Sequence, residues 1–232
     1  MSLDELAVVV PIGAGERAWR GLLPQLAALP PAARIVLVAT SDADLPSPSD
    51  AVTAGLRADL LTMTAPPGRA WQQNAGAHAA DRRFLWFLHA DSRLDDTTLP
   101  ALARALQHAP DSFGFFDLRF ESDGPLAVRL NALGVLVRSR WLGLPFGDQA
   151  FFLSHARFER LGGFDTTLVR GEDHALVWAA RRAGMALVPA RAPIYTSARR
   201  YAEAGWLRTT ARHVGWTALQ VWRELRRASG AA

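Results

Sequence analysis

Short β-branched runs alternate with amphipathic segments through the first half of the chain, and this alternation restricts the possible folds more than any other feature. The expected strands are Leu6–Pro11, Arg34–Ala39, Leu60–Thr64 and Phe84–Leu88, and the expected helices are Gly15–Leu29 and Arg69–Ala80. Strands that alternate with helices form parallel sheets covered on both faces. The pattern therefore predicts an α/β protein with three α/β/α layers and a mainly parallel central sheet.

The second half of the chain is less regular, which predicts a mixed continuation of the sheet. The expected helices are Thr97–His108, Pro125–Trp141, His155–Leu161 and Glu172–Ala183, and the expected strands are Phe113–Glu121 and Phe151–Leu153. No linker, internal repeat or low-complexity tract separates the halves. Half of the 232 residues are apolar, enough for one substantial core. We therefore expect a single domain over residues 1–232.

Proline and glycine follow the predicted strands of the first half. The segments concerned are Pro11–Gly13, Leu45–Pro48 and Ala65–Gly68. They predict loops at the carboxyl ends of the strands. Because ligands bind at that edge of an open parallel sheet, we expect the functional residues in the loops that follow the four predicted strands.

Cysteine and lysine are both absent, and the 26 basic side chains are all arginines. Without cysteine, neither a disulfide framework nor a thiolate metal site can form. Arginine binds phosphate groups in a bidentate manner, which favours anionic partners such as nucleotide diphosphates, anionic lipid or nucleic acid, and the charge balance alone does not choose among them. We predict no nucleic-acid partner, because the arginines form no clustered stripe and no nucleic-acid-binding module is recognised.

The N-terminal segment carries Asp4 and Glu5 before a short apolar run, the reverse of the basic leader of a secretory signal. Arginines also interrupt every long apolar stretch, including the one around Leu126–Leu144, so no membrane span is expected. These features predict a cytoplasmic protein.

The most informative local segment is the apolar run Phe84–Leu88, which leads directly into His89 and Asp91. These two side chains, two positions apart, point the same way in an extended strand. A carboxylate at the end of a parallel strand suits Mg²⁺ or Mn²⁺, which complete their coordination with substrate phosphates and water. The alternatives are that Asp91 caps the following helix and that His89 belongs to the core.

Two polar segments of the second half could also carry chemistry. Glu172 and Asp173 open a predicted helix, and Gly147-Asp148-Gln149 interrupts an otherwise apolar and aromatic segment. A carboxylate that faces a cleft can act as a general base toward an acceptor hydroxyl. The alternative for Glu172 and Asp173 is ordinary helix capping, since the helix dipole stabilises acids at the N-terminus.

A third segment, GRAWQQNAGA from Gly68 to Ala77, predicts a helix that begins at a glycine. The free N–H groups and the dipole of a helix N-terminus favour a phosphate nearby, and Arg69 lies on the first turn. Neither the Rossmann glycine pattern nor a P-loop occurs in the chain, which excludes those two ways of binding nucleotides.

Taken together, these segments resemble the family 2 glycosyltransferases, in particular a short bacterial subgroup with histidine in place of the first aspartate of the D-x-D metal motif. The resemblance extends from Leu6 to about Thr210 and rests on GRAWQQNAGA, FLHADSRL, GDQAFF, ERLGGFD, GEDHAL and TSARRY. It implies a GT-A fold, a nucleotide-diphosphate sugar as donor, with UDP or GDP as the expected nucleotide, and Mg²⁺ or Mn²⁺.

The same resemblance implies roles for individual residues. Asp91, with His89, would hold the metal, Asp173 would be the catalytic base of an inverting transfer, and Glu172 would orient the acceptor or that base. Gly147, Asp148 and Gln149 would lie in the acceptor region. The residues implied near the nucleotide-sugar are Pro11, Glu16, Arg69, Asn74, Ala90, Arg199 and Arg200.

The chain departs from the family pattern at two donor positions. The family has an Asn-Glu pair after the first strand, where this chain has Ile12-Gly13-Ala14-Gly15 followed by Glu16. An aspartate that holds the nucleobase is replaced by Ala39, for which Asp42 or Asp44 could substitute. These departures leave a second hypothesis open, a catalytically degenerate binding protein with the same fold.

The C-terminal segment, residues 204–227, predicts an amphipathic helix with tryptophans and arginines. Packing on the domain is the simpler interpretation. The alternative is that the helix lies on an anionic membrane surface, at its inner face, which would suit a lipid acceptor rather than a small-molecule one.

Overall fold

The computed structural model describes residues 3–125, 127–199, 201 and 205–229, and within them the chain forms one seven-stranded sheet. The strands are β1 Leu6–Pro11, β2 Arg34–Ala39, β3 Asp59–Thr64, β4 Phe84–Phe87, β5 Phe113–Phe120, β6 Phe152–Ser154 and β7 Leu187–Thr196. The described helices are α1 Trp19–Leu22, α2 Pro48–Thr53, α3 Arg69–Ala79, α4 Thr98–His108, α5 Val128–Arg140, α6 His155–Arg160, α7 Glu172–Arg182 and α8 Trp206–Ser229.

The strand order is β3-β2-β1-β4-β6-β5-β7. Only the short β6 runs antiparallel to its neighbours, β4 and β5. The remaining pairs are parallel, including β5 with the edge strand β7. The prediction of a mainly parallel sheet with a mixed second half is therefore confirmed.

Both faces of the sheet are covered, because the central strands are apolar at every position. On β1, Leu6, Val8 and Val10 pack into one core with α1 and α4. Ala7 and Val9 pack into the opposite core with α3, α6 and α7. The three-layer α/β/α architecture follows from this double burial.

The expected helix over Gly15–Leu29 is wrong. Only Trp19–Leu22 is α-helical, and it continues as a single 3₁₀ turn over Leu23–Leu26. Pro24 stands at the start of that turn, and since proline lacks an amide hydrogen it cannot sustain an α-helical ladder.

Two described elements were not expected from the sequence. The helix α2 lies in the proline-rich segment after β2 and begins with a capping box, in which Ser47 and Asp50 bond each other's backbone N–H groups. The strand β7 contains Pro189 and Pro193, and its register against β5 shifts between Phe115 and Asp117. An edge strand tolerates proline because one side of it needs no ladder hydrogen bonds.

The C-terminal helix is present, and its described part is α8; Ala204, where it was expected to begin, lies outside the described residues. No helix within the described part of the chain has both the length and the apolar character needed to cross a bilayer.

The topology gathers several chain segments at one edge of the sheet. The loops after β1, β2, β3 and β4 leave from the carboxyl ends of parallel strands. Because β6 runs antiparallel to these strands, the segment 147–151 that precedes it lies at the same edge. The N-terminus of α7 lies there too, because the C-terminus of α7 leads to the start of β7 at the opposite edge.

The helix α3 packs unusually close to the sheet at Gly76. A Cβ atom at this position would lie 2.5 Å from Cγ1 of Val9 and 2.9 Å from Cγ2 of Val38. Glycine therefore allows α3 to lie flat on β1 and β2, which holds its N-terminus, with Arg69, at the carboxyl edge.

Candidate active site

Four carboxylates face one region at the carboxyl edge of the sheet: Asp91, Asp148, Glu172 and Asp173. Burial is the main cause that raises the pKa of Asp148 and of Glu172; the negative charges of Asp173 and Asp91 add to it for Asp148, and the charge of Asp173 adds to it for Glu172. Charges influence one another in this way only over short distances. These four acids therefore lie near one another, while the catalytic and metal-binding roles expected of Asp91, Glu172 and Asp173 stay predictions.

Asp173 lies on the first turn of α7, where two backbone N–H groups hold its carboxylate. Oδ2 accepts a hydrogen bond from Gly147 N at 2.7 Å, and Oδ1 accepts one from His174 N at 2.8 Å. A Cβ at Gly147 would stand only 3.1 Å from the Asp173 side chain, so a larger residue would crowd this contact. The bond to His174 fits the capping alternative, whereas the bond to Gly147 ties Asp173 to the expected acceptor region.

Glu172 is buried beside Asp173. Burial, and then the charge of Asp173, raise the pKa of Glu172, while Arg69 opposes this effect. The Arg69 guanidinium lies 3.6 Å from Oε1 of Glu172 and is itself about half exposed. The ion pair joins the N-terminus of α3 to that of α7.

Asp148 is the most perturbed acid of the cluster. Its Oδ1 is sealed from solvent and accepts no hydrogen bond from the described residues. Burial raises the pKa of Asp148 to about 6, and the charge of Arg138 works in the opposite direction. The Arg138 guanidinium lies 3.4 Å from the centre of the Phe146 ring, and Nη2 donates to Oε1 of Gln149 at 3.3 Å.

Replacing Asp148 by asparagine is expected to reveal the energetic cost of this burial. The folded protein favours protonated Asp148, so the stability that the group contributes is fully present below its ordinary pKa of 3.8 and is lost as the pH rises through about 6. A pKa increase of about two corresponds to about 3 kcal/mol. Denaturant unfolding at pH 4, 6 and 8 should show the stability of the wild type falling by about that amount relative to Asp148→Asn.

The matched control for this experiment is Asp96→Asn, the same chemical change at an exposed loop position. A constant difference between wild type and Asp148→Asn across the three pH values would contradict the assignment.

Gln149 supports the same turn from within the core. It is fully buried, its Nε2 donates to the carbonyl of Phe116 at 2.8 Å, and its Oε1 accepts from Phe146 N at 3.1 Å. Of the three residues expected in the acceptor region, Gly147 and Asp148 lie at the cluster, and Gln149 holds their backbone in place.

The segment expected to bind metal follows β4. Ser92 N donates to the carbonyl of His89 at 3.0 Å and closes a turn in which Ala90 is buried and His89 and Asp91 are half-buried. The helix α4 begins only at Thr98, and Asp95 binds the N–H of Thr97, so Asp91 does not cap that helix.

Among the described residues, no three histidine or acidic side chains are arranged to hold a metal ion by themselves. A cation bound at Asp91 and His89 would therefore depend on further ligands from a substrate, as Mg²⁺ does when it binds phosphates.

Asn74, expected near the nucleotide, forms two hydrogen bonds with a loop that is distant in the sequence. Its Nδ2 donates to the carbonyl of Phe164 at 2.8 Å, and its Oδ1 accepts from Phe164 N at 2.9 Å. Gly163, before Phe164, has a φ of 71°, which favours glycine. Both polar atoms of Asn74 therefore anchor the Gly-Gly-Phe turn against α3.

The loops after β1 and β2 are tied to each other. Pro11 is the buried last residue of β1, and the Glu16 carboxylate accepts from Arg17 N at 2.8 Å and Ala18 N at 2.7 Å. Asp44 accepts from Gly15 N at 3.1 Å and from Arg17 Nη1 at 2.7 Å. The hydrogen bond from Arg17 is the main cause that lowers the pKa of Asp44.

The structure does not bring Arg199 to the carboxylates. Its side chain is largely exposed, its Nε donates to Ser197 Oγ at 2.9 Å, and it lies 3.9 Å from Oδ2 of Asp123. Arg200, its expected companion, lies outside the described residues.

Sequence reasoning missed two residues that organise the site. Arg138 on α5, described above, bonds Gln149 and acts through its charge on Asp148; its only signal in the sequence was an arginine within an apolar helical pattern. Gln72 is buried on α3, where its Nε2 donates to the carbonyls of Ile12 at 2.7 Å and Val38 at 2.9 Å. The amide-rich run in GRAWQQNAGA was the signal for Gln72, although not for its partners.

No protein-family model matches the sequence, and no curated protein matches it. Several solved structures share its fold. S. aureus TarS is similar with a TM-score of 0.62 at 16% identity, over 84% of this chain and 37% of TarS. TarS 1-349 in complex with UDP-GlcNAc has a TM-score of 0.58 at 16% identity, over 83% of this chain and 58% of that chain. The mannosyltransferase PcManGT from Pyrobaculum calidifontis, in complex with GDP-Man and Mn²⁺, has a TM-score of 0.59 at 19% identity, over 82% of this chain and 56% of that chain.

These similarities show that the chain has a GT-A-type fold, as expected from the sequence. The chain spans less than two thirds of the length of each of these neighbours, from 37% to 58%. At this level of identity the similarity shows the fold and leaves the activity to be argued from the site.

Proposed function

We propose that this protein is a glycosyltransferase that moves a sugar from a nucleotide-diphosphate donor to an acceptor hydroxyl. The observation that carries the proposal is the grouping of Asp91, Asp148, Glu172 and Asp173 at the carboxyl edge of a GT-A-type sheet. Asp173 accepts a hydrogen bond from Gly147 N, next to Asp148, and the charges of Asp173 and Asp91 add to the burial that raises the pKa of Asp148. Structural neighbours of this fold bind UDP-GlcNAc and GDP-Man, which supports a UDP- or GDP-sugar as the donor.

A divalent cation fits this edge. Four acids lie at this edge, and among the described arginines Arg69 and Arg138 act on the buried ones, Asp148 and Glu172. The acids therefore outnumber these arginines. Asp91 and His89 offer an oxygen and an imidazole nitrogen, a donor set compatible with Mn²⁺ or Mg²⁺. We propose that these two residues would hold the cation, which would neutralise charge on the donor diphosphate. The Mn²⁺ in the PcManGT complex supports the same choice.

Asp173 is the proposed base of the transfer. Its carboxylate would take the proton of the acceptor hydroxyl as the hydroxyl oxygen bonds to the anomeric carbon and the bond from that carbon to the diphosphate oxygen breaks. A single displacement of this kind inverts the anomeric configuration. The hydrogen bonds from Gly147 N and His174 N fix the orientation of the carboxylate. A base that is already oriented toward the acceptor hydroxyl speeds the transfer.

The remaining residues are proposed to shape the two substrate sites. Glu172 would orient the acceptor or Asp173, and Gly147, Asp148 and Gln149 would form the acceptor side. Arg69 is the best placed cation for the diphosphate, because its guanidinium is half exposed at the edge while still paired with Glu172. The proposed donor-side set is completed by Pro11, Glu16, Ala90 and Arg200. Asn74, whose polar atoms hold Phe164, would act by fixing the position of α3, and Arg199 would have to leave Ser197 and Asp123 to reach a donor.

One observation favours the second hypothesis, a binding protein that has lost its activity. The acids that could replace the missing donor-site residues are both already engaged: Glu16 with backbone N–H groups of its own loop, and Asp44 with Gly15 N and Arg17 of the loop after β1. Donor binding and sugar transfer must therefore be measured separately, because a degenerate protein would bind without turnover.

A thermal-shift screen of UDP-, GDP- and dTDP-sugars with Mn²⁺ tests the donor proposal. A ligand present at 100 times its Kd stabilises the folded state by about 2.7 kcal/mol. For a chain of this size that corresponds to roughly 5–10 °C in Tm. We expect one nucleotide class to produce such a shift only when Mn²⁺ is present.

The controls are Mn²⁺ alone and each sugar without its nucleotide. Equal shifts with and without Mn²⁺ would contradict the metal proposal, and the absence of a shift with every donor would contradict donor binding. A shift without any sugar transfer or donor hydrolysis would favour the binding protein.

A further inference from the structure

The helix α5 exposes an apolar stripe. Leu130, Leu133, Val137 and Trp141 follow one another at spacings of three and four residues and are 63%, 59%, 46% and 83% exposed. Leu142, next to the stripe, is 59% exposed. Contiguous apolar surface of this kind on a folded domain marks a site of contact with another partner, since leaving it in water is costly.

The helix α8, whose first turns contact α5, also carries exposed apolar side chains. Leu207, Val214 and Trp222 are 73%, 62% and 49% exposed. The two helices are joined at Asn131, which donates to Thr210 Oγ1 at 2.9 Å and accepts from Trp206 Nε1 at 3.2 Å. We call the eight residues Leu130, Leu133, Val137, Trp141, Leu142, Leu207, Val214 and Trp222 the α5–α8 surface.

The charged residues in the sequences of these two helices are almost all positive. The sequences of α5 and α8 contain eight arginines and a single acid, Glu224. Arg129, Arg208 and Arg212 are exposed. The guanidinium of Arg226 lies 4.1 Å from the centre of the Trp222 ring, which places an arginine and a tryptophan together. Apolar stripes with tryptophan, bordered by arginines, are typical of helices that lie in the interface of an anionic bilayer.

Both helices also come close to the carboxylate cluster. The α5 residue Arg138 acts on Asp148, and Gln220 of α8 packs against Gly171, which precedes Glu172, so closely that a Cβ on Gly171 would lie 2.1 Å from Gln220 Nε2. A partner bound to the α5–α8 surface would therefore lie beside the site.

We propose that the α5–α8 surface docks this protein on bilayers that carry anionic headgroups. The apolar side chains enter the headgroup region and the arginines bind lipid phosphates. Nucleic acid would engage the arginines without needing the exposed leucines, valines and tryptophans, so the apolar stripes favour the bilayer. This docking does not depend on the proposed catalysis, and it can be tested on protein without donor or metal.

The test is flotation of the full chain with vesicles of phosphatidylcholine alone and with 30% phosphatidylglycerol. We expect the protein to float with the anionic vesicles and to partition into them at least tenfold more strongly than into the neutral ones. The double variant Leu133→Glu/Val137→Glu should reduce partitioning into the anionic vesicles at least tenfold. The variant Arg208→Gln/Arg212→Gln should lower it as well and weaken its dependence on salt.

The control is Val52→Glu, which makes one such exchange of an exposed apolar side chain for glutamate at a position that is 81% exposed on the distant α2. It should float as the wild type does, and circular dichroism should confirm that all variants are folded. No binding of the wild type, equal binding to neutral and anionic vesicles, or unchanged binding of Leu133→Glu/Val137→Glu would each overturn the proposal.

Discussion

Asp173→Asn is expected to lower the turnover of sugar transfer by between about 10²- and 10⁴-fold, the range associated with loss of a general base. Asparagine cannot take up the acceptor proton, yet it has nearly the same size. It retains one oxygen to accept from Gly147 N or His174 N, so the start of α7 should remain folded. Donor binding should be unchanged, because the group acts on the acceptor.

The measurement is the rate at saturating donor and acceptor, together with the Tm shift that the donor produces. Asp96→Asn makes the same change at an exposed position and should keep full activity. If Asp173→Asn turned over at the wild-type rate, Asp173 would have no role as base. If it lost the donor-induced shift as well, its role would be in donor binding or folding.

Asp91→Asn is expected to weaken metal-dependent donor binding by more than about 100-fold. Removing even an outer partner of a metal ligand costs about 10–100-fold in affinity, and Asp91 is proposed as a direct ligand. The amide of asparagine is a neutral and poorer ligand for Mg²⁺ or Mn²⁺ than a carboxylate.

The decisive comparison is the donor Kd of wild type and variant, each with Mn²⁺ and with EDTA. We expect the two proteins to differ with Mn²⁺ and to agree in EDTA. A variant that kept the whole Mn²⁺-dependent gain would remove the metal assignment from Asp91, and Asp96→Asn again controls for the change in charge.

The fold was predictable where a single stretch of sequence decides the structure. The continuous apolar run Leu6–Pro11 can only be a strand buried on both faces, and it forms β1. The strand β7 was missed because Pro189 and Pro193 interrupt it and most of its residues are only half-buried, so no apolar run or alternation marks it. The prediction of a helix over Gly15–Leu29 was wrong for the opposite reason. Its apolar periodicity is typical of a helix, but Pro24 limits the α-helical part.

For the site, the sequence located the acids but not their partners. Asp91, Asp148 and Asp173 could be identified because acids at the end of a strand, within an apolar segment or at the start of a helix are conspicuous. The bond of Asn74 to Phe164 joins residues 90 positions apart, and the effect of Arg138 on Asp148 depends on how α5 crosses the sheet. Contacts of this kind are set by tertiary packing, which one sequence does not display.

The reversed direction of β6 has a consequence for how such a protein can diversify. Every donor-side loop in the proposed arrangement follows a strand. The acceptor-side turn at Gly147 instead precedes a strand, the three-residue Phe152–Ser154. Insertions or deletions between α5 and β6 would leave the loops after β1, β2 and β4 in register. Evolution could therefore exchange one substrate of the reaction while the other stays the same.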